Sequence, residues 1–310
     1  MLILPRMIRV GPAGWAYRDW NGIVYPKPRP RGFDPLAYLA RWFDTVEINA
    51  TFYRPAAATV ARRWLASVAD HDRFRFTAKA WQRFTHARDA ALTRADVAAA
   101  REALDVLHGA GRLGAVLLQF PWSFKRGDDE RAWLDDVTRA LADYPLVIEV
   151  RHASWNVPPF YRELAERGIG FVNIDQPLFA RSIGPSATAT APVGYVRLHG
   201  RNAGDWFREG ATVEERYDYL YSADELLPWA DRARQVAAVA REVFVVTNNH
   251  FQGQAVANAA MLQAMLGGAP ASAPPGVAER YALPAHGGGH PTPRFTALAV
   301  RRACCRRRGR

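Results

Sequence analysis

The sequence predicts an α/β fold, namely a (β/α)8 barrel of the TIM type with eight parallel strands. Eight short apolar runs rich in β-branched residues recur along the chain. Amphipathic helical stretches separate most of these runs, and strands that alternate with helices pair in parallel through right-handed crossovers. Eight such units in about 260 residues match a closed barrel in both number and size.

An open doubly wound sheet is the alternative fold. A dinucleotide-binding sheet of that kind carries a G-x-G-x-x-G turn after its first strand. Here the first strand leads into GPAGW, which lacks this pattern. We therefore prefer the barrel.

The predicted elements alternate in chain order. The strands occupy residues 8–15, 45–52, 73–80, 115–121, 146–152, 170–176, 193–200 and 243–250. The first helix, FDPLAYLARWF, has Asp34 as a helix N-cap and Pro35 at the first helical position. The next begins at Thr93, and the others lie in DERAWLDDVTRALADY, PPFYRELAERG, DELLPWADRARQVAAVAR and GQAVANAAMLQAML. Helical periodicity is weak after the sixth strand.

The strands carry polar residues at alternate positions near their C-terminal ends. In TVEINATF, Glu47 and Asn49 share one face, and apolar side chains occupy the other. Helices wrap the outside of such a barrel, so the polar face points inward. By the same parity we expect these residues to point inward: Thr77, Lys79, Gln119, Glu149, Arg151, Asn173, Asp175, Arg197, His199, Asn248 and His250.

This arrangement predicts a pocket at the C-terminal mouth of the barrel, where the active sites of this fold are built. A competing interpretation is a charge-balanced network that only satisfies itself. Its acids would be Glu47, Glu149 and Asp175, and its cations Lys79, Arg151 and Arg197. Replacing buried ion pairs by apolar residues is often neutral or stabilising, so stability alone does not explain so many charges.

General acid–base catalysis on an anionic substrate is one chemistry that suits these residue types. Arginine favours such a substrate because its planar fork matches carboxylate and phosphate groups. The candidate catalytic residues are Glu47, Glu149, His199, Lys79 and His250. The candidate substrate-binding residues are Trp15, Asn49, Tyr53, Gln119, Arg151, His152, Asp175, Arg197, Asn248, Asn249 and Tyr217.

Metal ligation by imidazole and carboxylate groups is the other chemistry. The sequence contains no H-x-x-E-H or H-x-H spacing, and three nearby cations oppose a divalent ion. We therefore predict no cofactor and no metal ligand, with a divalent metal as the alternative.

A long connection, GRNAGDWFREGATVEERYDYLYS, follows the seventh strand over residues 200–222. Loops of this length often form lids or binding loops. Its aromatic residues are Trp206, Phe207, Tyr217, Tyr219 and Tyr221. They either stack on a ring of the substrate or pack the loop onto the rim, and the sequence leaves both open.

The formal charge of +11 is concentrated at the C-terminal end. Residues 269–310 hold eight arginines and one glutamate and end in RRACCRRRGR. We predict a barrel domain over residues 1–268 and a disordered tail over residues 269–310, with nucleic-acid binding restricted to that tail.

Cysteine usage and hydropathy indicate the compartment. Cys304 and Cys305 are adjacent, which gives neither a disulfide framework nor a spaced metal-ligand pair. No apolar run reaches the roughly 18 residues of a membrane span, and MLILPRMIRV lacks a signal cleavage pattern. We expect a cytoplasmic protein, and its oligomeric state is left open.

Eight motifs resemble the YecE-like family, the domain-of-unknown-function family numbered seventy-two. They occur in family order as GPAGWAYRDWNGIVYP, DTVEINATFYR, FRFTAKAWQRFTH, LLQFPWSF, VIEVRHASW, YVRLHGR, RYDYLYSADEL and NNHFQGQAVANA. Each motif alone is weak, but together they are specific. The resemblance implies a TIM-type barrel with a pocket at its mouth, and it supplies no reaction.

The leading functional hypothesis is an enzyme, a hydrolase or lyase, that acts on a small anionic substrate of a phosphorylated or nucleotide-like kind. Glu47 and Glu149 would be acid and base, while Lys79, Arg151 and Arg197 would hold the anion. The alternatives are a metal-assisted phosphodiesterase resembling apurinic-site endonuclease barrels, a glycosidase, and a non-catalytic sensor barrel that its basic tail tethers to RNA or a membrane.

Overall fold

A computed structural model of the chain describes residues 7–267 and 271–283. Within them eight strands form a single sheet in the order β1-β8-β7-β6-β5-β4-β3-β2, and every paired neighbour runs parallel. The strands are β1 Met7–Pro12, β2 Thr45–Ile48, β3 Arg75–Lys79, β4 Leu113–Gln119, β5 Leu146–Glu149, β6 Gly170–Asp175, β7 Val193–Leu198 and β8 Glu242–Thr247.

Contacts between β1 and β2 bring the ends of this sheet together into a nearly closed barrel. Ala13 forms a parallel bridge with Glu47, and the backbone N–H of Gly14 donates to the carbonyl oxygen of Glu47 at 2.8 Å. A Cβ atom on Gly11 would lie 1.9 Å from the carbonyl oxygen of Thr45, so the close approach of the two strands requires glycine there. The predicted TIM-type barrel is confirmed.

Helices follow most strands and wrap the outside of the barrel. Asp34 caps the first helix by accepting hydrogen bonds from the backbone N–H groups of Leu36 and Ala37. Thr93 and Asp96 form a capping box on the longest helix. The helices are α1 Pro35–Ala40, α2 Ala50–Tyr53, α3 Ala58–Ser67, α4 Gln82–Thr85, α5 Arg94–Gly109, α6 Asp128–Ala140, α7 Pro158–Glu166, α8 Ala203–Trp206, α9 Val213–Arg216, α10 Ala223–Ala237, α11 Gln254–Gly267 and α12 Pro275–Arg280.

Two apolar clusters hold the layers together. The larger cluster lies between strands and helices and includes Val46, Ile48 and Leu118. The smaller cluster fills the barrel interior with Ala13, Ala115, Leu117, Val147, Val172, Ile174, Tyr195, Phe244 and Val246. The barrel is therefore a packed core rather than a pore, as is usual for this fold.

The strands end earlier than predicted where polar residues begin the loops. TVEINATF was expected to extend to residue 52, but β2 ends at Ile48, and α2 begins at Ala50. The hydroxyl group of Thr51 donates to the carbonyl oxygens of Ile48 and Lys79, at 3.1 and 2.7 Å. These bonds fold the chain over the end of β3 instead of continuing the strand.

The part of the chain after α11 differs from the predicted boundary at residue 268. Residues 271–283 contain α12, whose Val277 and Ala278 are buried against the barrel. The packed region therefore extends beyond that boundary, while residues 284–310, including Cys304 and Cys305, lie outside the described residues. Among the helices that the structure describes, none is long and apolar enough to cross a membrane.

Candidate active site

A buried ion network occupies the C-terminal end of the barrel, and Arg197 of β7 is its centre. Its Nη2 and Nε donate to the two carboxylate oxygens of Glu47 from β2, at 2.7 and 3.0 Å. The hydroxyl group of Tyr195 donates to Glu47 at 2.8 Å, and that of Thr77 lies 2.9 Å from Tyr195. Both oxygens of Glu47 thus accept hydrogen bonds from side chains that are themselves buried.

The same guanidinium group reaches a second buried carboxylate, that of Glu149 from β5. Nη1 of Arg197 donates to Glu149 Oε2 at 3.2 Å, while Arg151 Nε donates to Oε1 at 3.1 Å. His199 Nε2 lies 2.9 Å from the same Oε1 atom. Burial would raise the pKa of Glu149, but the hydrogen bond from His199 and the charges of Arg197 and Arg151 outweigh it and hold that pKa well below its usual range.

His199 is neutral in this network. Burial lowers the pKa of its imidazole to about 3, because Glu149 does not compensate for the lost hydration and the neighbouring Arg151 and Arg197 are cations. A neutral imidazole has one N–H group, and the carboxylate of Glu149 requires it on Nε2. Nδ1 then accepts from the amide of Asn248, whose nitrogen lies 3.2 Å away.

Lys79, at the end of β3, stands beside the network without joining it. Its ammonium group lies 3.7 Å from the centre of the Phe52 ring. Across residues 7–267 and 271–283 this group forms no hydrogen bond and no ion pair. Burial lowers the pKa of Lys79 to about 7, and Arg197 contributes in the same direction, whereas Glu47 and Glu149 oppose the shift.

Aromatic rings form one wall above the network. The His250 ring stacks on Tyr17, with centroids 4.3 Å apart and planes at 14°. The Tyr217 ring centroid lies 5.3 Å from that of His250 and 5.9 Å from that of Trp206. The guanidinium carbon of Arg151 lies 5.4 Å from the Trp206 ring centroid. Loop residues 200–222 thus supply a cover over Arg151, which favours the lid interpretation for two of their aromatic side chains.

The turn that starts this loop depends on Gly200. Its φ of +92° lies in the region that favours glycine, and its N–H donates to the Tyr221 hydroxyl group at 2.8 Å. A Cβ atom there would lie 2.8 Å from Cβ of Tyr219. The loop therefore leaves β7 along a path that a larger residue would obstruct.

Two further polar atoms at the mouth are buried without a hydrogen-bond partner. They are the amide oxygen of Asn49, in the residue after β2, and Nδ1 of His250. An unsatisfied buried polar atom costs about 1–3 kcal/mol, so each such atom calls for an explanation. Burial also lowers the pKa of His250 to about 4, which leaves its imidazole neutral near pH 7.

Some predicted site residues lie outside the mouth. The interior cluster contains Val172 and Ile174, so the parity prediction for β6 is wrong and Asp175 faces the surrounding layer. There Asp175 accepts from Nε of Arg201 at 2.8 Å. Burial raises the pKa of Asp175. The amide of Asn249 donates to the carbonyl oxygen of Tyr219 at 2.7 Å, a contact that anchors the loop.

Within the described part of the chain, the side chains of the remaining predicted residues form no hydrogen bond with the ion network and bind or pack against neighbouring residues instead. Gln119 donates to the carbonyl oxygen of its neighbour Phe120 at 2.8 Å. His152 Nδ1 accepts from the backbone of Ser154, and its Nε2 is buried without a partner. Trp15 packs edge-to-face on Trp64, and Tyr53 is 64% exposed.

Sequence reasoning missed two side chains that shape this site. Tyr195 donates to Glu47, and Tyr17 stacks on His250, whereas Thr77, which was predicted to point inward, contacts the Tyr195 hydroxyl group. Tyr195 lies two positions before Arg197 on the same strand face, so the alternation rule already pointed to it. No sequence signal pairs Tyr17 with His250, because 233 positions separate them and only the closed barrel joins the two strand ends.

The network also bears on the competing chemistries. Arg197 bridges the two buried carboxylates, so Glu47 and Glu149 do not flank an open space as the two carboxyl groups of a glycosidase do. Among the described residues, no group of three or more histidine, cysteine, aspartate or glutamate side chains is arranged to hold a metal ion.

The sequence is similar to a protein family and to a named bacterial protein. The sequence model of the family described as "Protein of unknown function DUF72" matches residues 9–280. The UPF0759 protein YunF of Bacillus subtilis is 27% identical over 274 residues, which cover 84% of this chain and 95% of that protein.

Two solved structures have the same architecture. A DUF72 family protein from Thermotoga maritima is 30% identical, with a TM-score of 0.72 over 84% of this chain and 99% of that one. A DUF72 family protein from Enterococcus faecalis is 24% identical, with a TM-score of 0.73 over 84% and 96%. The second likeness concerns the fold alone.

Proposed function

The chain belongs to the DUF72 family, whose function is unknown, and from that premise we propose that the barrel mouth is an active site where Lys79 performs acid–base chemistry on a small anionic substrate. The observation that carries the proposal is the isolation of the Lys79 ammonium group. It lies against an aromatic ring beside a dense ion network, yet no carboxylate oxygen of the described barrel lies within 4.0 Å of it.

The pKa values distribute the roles differently from the initial hypothesis. Glu149 is held ionised, and His199 is held neutral, so neither exchanges a proton readily near pH 7. A general acid or base works best when its pKa lies near the working pH. The amine of Lys79, with its pKa lowered to about 7, meets that condition.

Arg151 is the second group that faces the substrate in this proposal. Every guanidinium nitrogen of Arg197 donates to a carboxylate, so Arg197 supports the network. Nη1 of Arg151 makes no hydrogen bond within the described part of the chain, and Trp206 covers the guanidinium group. Lys79 and Arg151 are close enough to repel each other, which an anion between them would relieve.

Glu47, Arg197, Glu149 and His199 act in this scheme as positioning residues. They fix Arg151 and neutralise the charge beneath the substrate, so the pocket is organised before the substrate arrives. The unpartnered atoms of Asn49 and His250 would complete the binding of polar substrate groups.

Anion binding supplies the test. Inorganic phosphate and sulfate, and then a panel of small phosphate esters and carboxylates, would be titrated against the full chain by thermal shift and isothermal calorimetry. A ligand at a hundred times its Kd stabilises by about 2.7 kcal/mol. Binding should weaken at least about tenfold in Arg151→Met, since a hydrogen bond to a charged group contributes about 1.5–3 kcal/mol.

Two further measurements separate binding from chemistry. Lys79→Met should abolish turnover of any substrate that the panel identifies, and kcat of the wild type should depend on a group with a pKa near 7. Lys125→Met is the matched control, because Lys125 also lies over an aromatic ring, that of Trp122 at 5.7 Å. Equal affinities in the wild type and Arg151→Met, together with full turnover in Lys79→Met, would refute the proposal.

A further inference from the structure

We propose that Lys79 forms a Schiff base with a small anionic carbonyl compound, an aldehyde or ketone that carries a carboxylate or phosphate group, and this deepens the function proposed above. The geometry points to covalent chemistry because the amine stands on the face of Phe52 without an ion pair in the described structure. No bond to a protein partner has to break before the nitrogen attacks.

The environment of the amine is the kind that activates a lysine nucleophile. Desolvation and neighbouring cations both disfavour the charged form. The cations are Arg197 and Arg151, and together with desolvation they outweigh the cation–π contact with the Phe52 ring at 3.7 Å, which favours the ammonium form. Around pH 7 the neutral fraction of Lys79 exceeds that of an ordinary lysine by a factor on the order of 10³.

The bond changes of the step balance without a co-reactant. Lys79 Nζ attacks the carbonyl carbon, a C–N bond forms, and the C–O π bond breaks as the oxygen takes up a proton. Nitrogen gives up one proton in this addition. The C–O bond of the carbinolamine then breaks as the nitrogen lone pair forms the C=N double bond, nitrogen loses its second proton, and the oxygen leaves as water. Two proton transfers are therefore needed, and the net product besides the imine is one water molecule.

Solvent water carries those protons, because the Lys79 side chain is partly exposed, whereas His86 lies behind Phe52. Its ring stands edge-on to Phe52, with centroids 4.9 Å apart, so Phe52 separates it from Lys79. Its Nδ1 lies 2.9 Å from the Thr85 hydroxyl group, which leaves Nε2 for a proton or a water molecule. Burial and the nearby Lys79 lower the pKa of His86 to about 4, so this imidazole stays neutral near pH 7 and, like His199, exchanges protons poorly there.

The anionic part of the substrate follows from Arg151. Its guanidinium group faces the mouth under Trp206, and the unpartnered amide oxygen of Asn49 follows β2, the strand next to β3. A carbonyl compound with an acidic group satisfies both neighbours: the acid binds Arg151, and the carbinolamine hydroxyl group donates to an acceptor such as Asn49. Uncharged aldehydes of similar size offer only the second contact.

Reductive trapping tests this inference on the intact chain. The protein would be incubated at pH 7 with glyoxylate and sodium cyanoborohydride, which reduces an imine to a stable amine, and the adduct would be located by peptide mass spectrometry. The sequence has only three lysines, Lys27, Lys79 and Lys125, so assignment is direct. We expect Lys79 to be labelled at least about tenfold faster than the other two, given its larger neutral fraction.

Matched variants and a second reagent give the remaining outcomes. Lys79→Arg should lose the adduct, and Lys125→Arg should keep it. Labelling of Lys79 by propanal, which lacks a charge, should be slower than labelling by glyoxylate, and Arg151→Met should remove that difference. Labelling of the three lysines at similar rates, or none at Lys79, would overturn the Schiff base.

Failure of this inference and failure of the proposed function differ in their results. A protein that binds phosphate through Arg151 and yet shows no adduct at Lys79 refutes the covalent step alone. Equal labelling of Lys79 by glyoxylate and propanal refutes the anionic substrate class, even though Lys79 then still forms an imine. Preferential labelling by glyoxylate that Arg151→Met abolishes supports both.

Discussion

Replacement of Arg197 by methionine tests the ion network most directly. Arg197 is 1% exposed and donates to Glu47 at 2.7 and 3.0 Å and to Glu149 at 3.2 Å, and both glutamates are fully buried. The variant leaves Glu47 with the Tyr195 hydroxyl group alone, whereas Glu149 keeps Arg151 and His199. Removing one partner of a buried pair costs about 3–5 kcal/mol, which we expect as the loss in the free energy of unfolding.

The assay is urea denaturation of the full chain at pH 8 and pH 5.5, followed by a comparison of each variant with the wild type. A buried carboxyl group without its cation takes up a proton more readily, so the folded variant binds more protons than its unfolded chain. Stability of Arg197→Met relative to wild type therefore falls as pH rises, and the loss should be larger at pH 8.

Arg139 offers a matched control on the surface of α6. It also lies between two carboxylates, Asp135 at 2.6 Å and Asp136 at 2.9 Å, but its side chain is 65% exposed. Arg139→Met should lower the free energy of unfolding by about 0–1 kcal/mol.

The double variant Glu47→Leu with Arg197→Met should recover most of the lost stability, because no uncompensated charge remains at Glu47. A loss in Arg197→Met as small as that in Arg139→Met, or one unchanged between pH 5.5 and 8, would contradict the reasoning.

Three further predictions concern the mouth and its loop. Lys79→Met should raise the free energy of unfolding by up to about 5 kcal/mol at pH 6, where the wild type carries the penalty of a desolvated ammonium group. That penalty disappears between pH 7 and 10.5, so denaturation at pH 10.5 should show almost no gain, and a constant gain would argue against the prediction. The wild type should lose stability as the pH falls from 6.5 to 4, because only its unfolded chain protonates His250 in that window. His250→Phe should lose less stability over the same range in thermal melts, and an equal loss in both proteins would contradict this. Gly200→Ala should lower the free energy of unfolding by at least about 1 kcal/mol in urea denaturation. Gly210→Ala should cost less, because Gly210 also has a positive φ but no atom of the described residues lies within 4 Å of a Cβ position there to crowd the new methyl group. Equal losses in the two variants would count against the Tyr219 contact.

The fold was predictable because each buried strand repeats the same apolar signal between helices. Eight runs gave eight strands, and the family motifs added an independent reason for the barrel. The strand ends were less predictable. Asn49 and the residues after it belong to a loop and to α2, because backbone–side-chain bonds such as those of Thr51 compete with continued pairing.

The candidate site was only partly accessible to sequence reasoning. Alternation placed Glu47, Glu149 and Arg197 together correctly, but it failed on β6, where both faces are buried and Asp175 is satisfied by Arg201 in the surrounding layer. Spacing also cannot tell an arginine whose nitrogens all donate to carboxylates from one that has a nitrogen without a hydrogen bond. That distinction between Arg197 and Arg151 rests on distances between strands that are far apart in the chain.

The junction between the first and second strands links assembly of the barrel to assembly of its centre. Glu47 accepts the Gly14 backbone bond that joins the two strands, and its side chain anchors Arg197. Opening of this seam would draw the carboxylate away from the guanidinium group and loosen the support beneath Arg151. Local opening at that junction would thus disorganise the buried ion network without any change in the residues of β5 and β7.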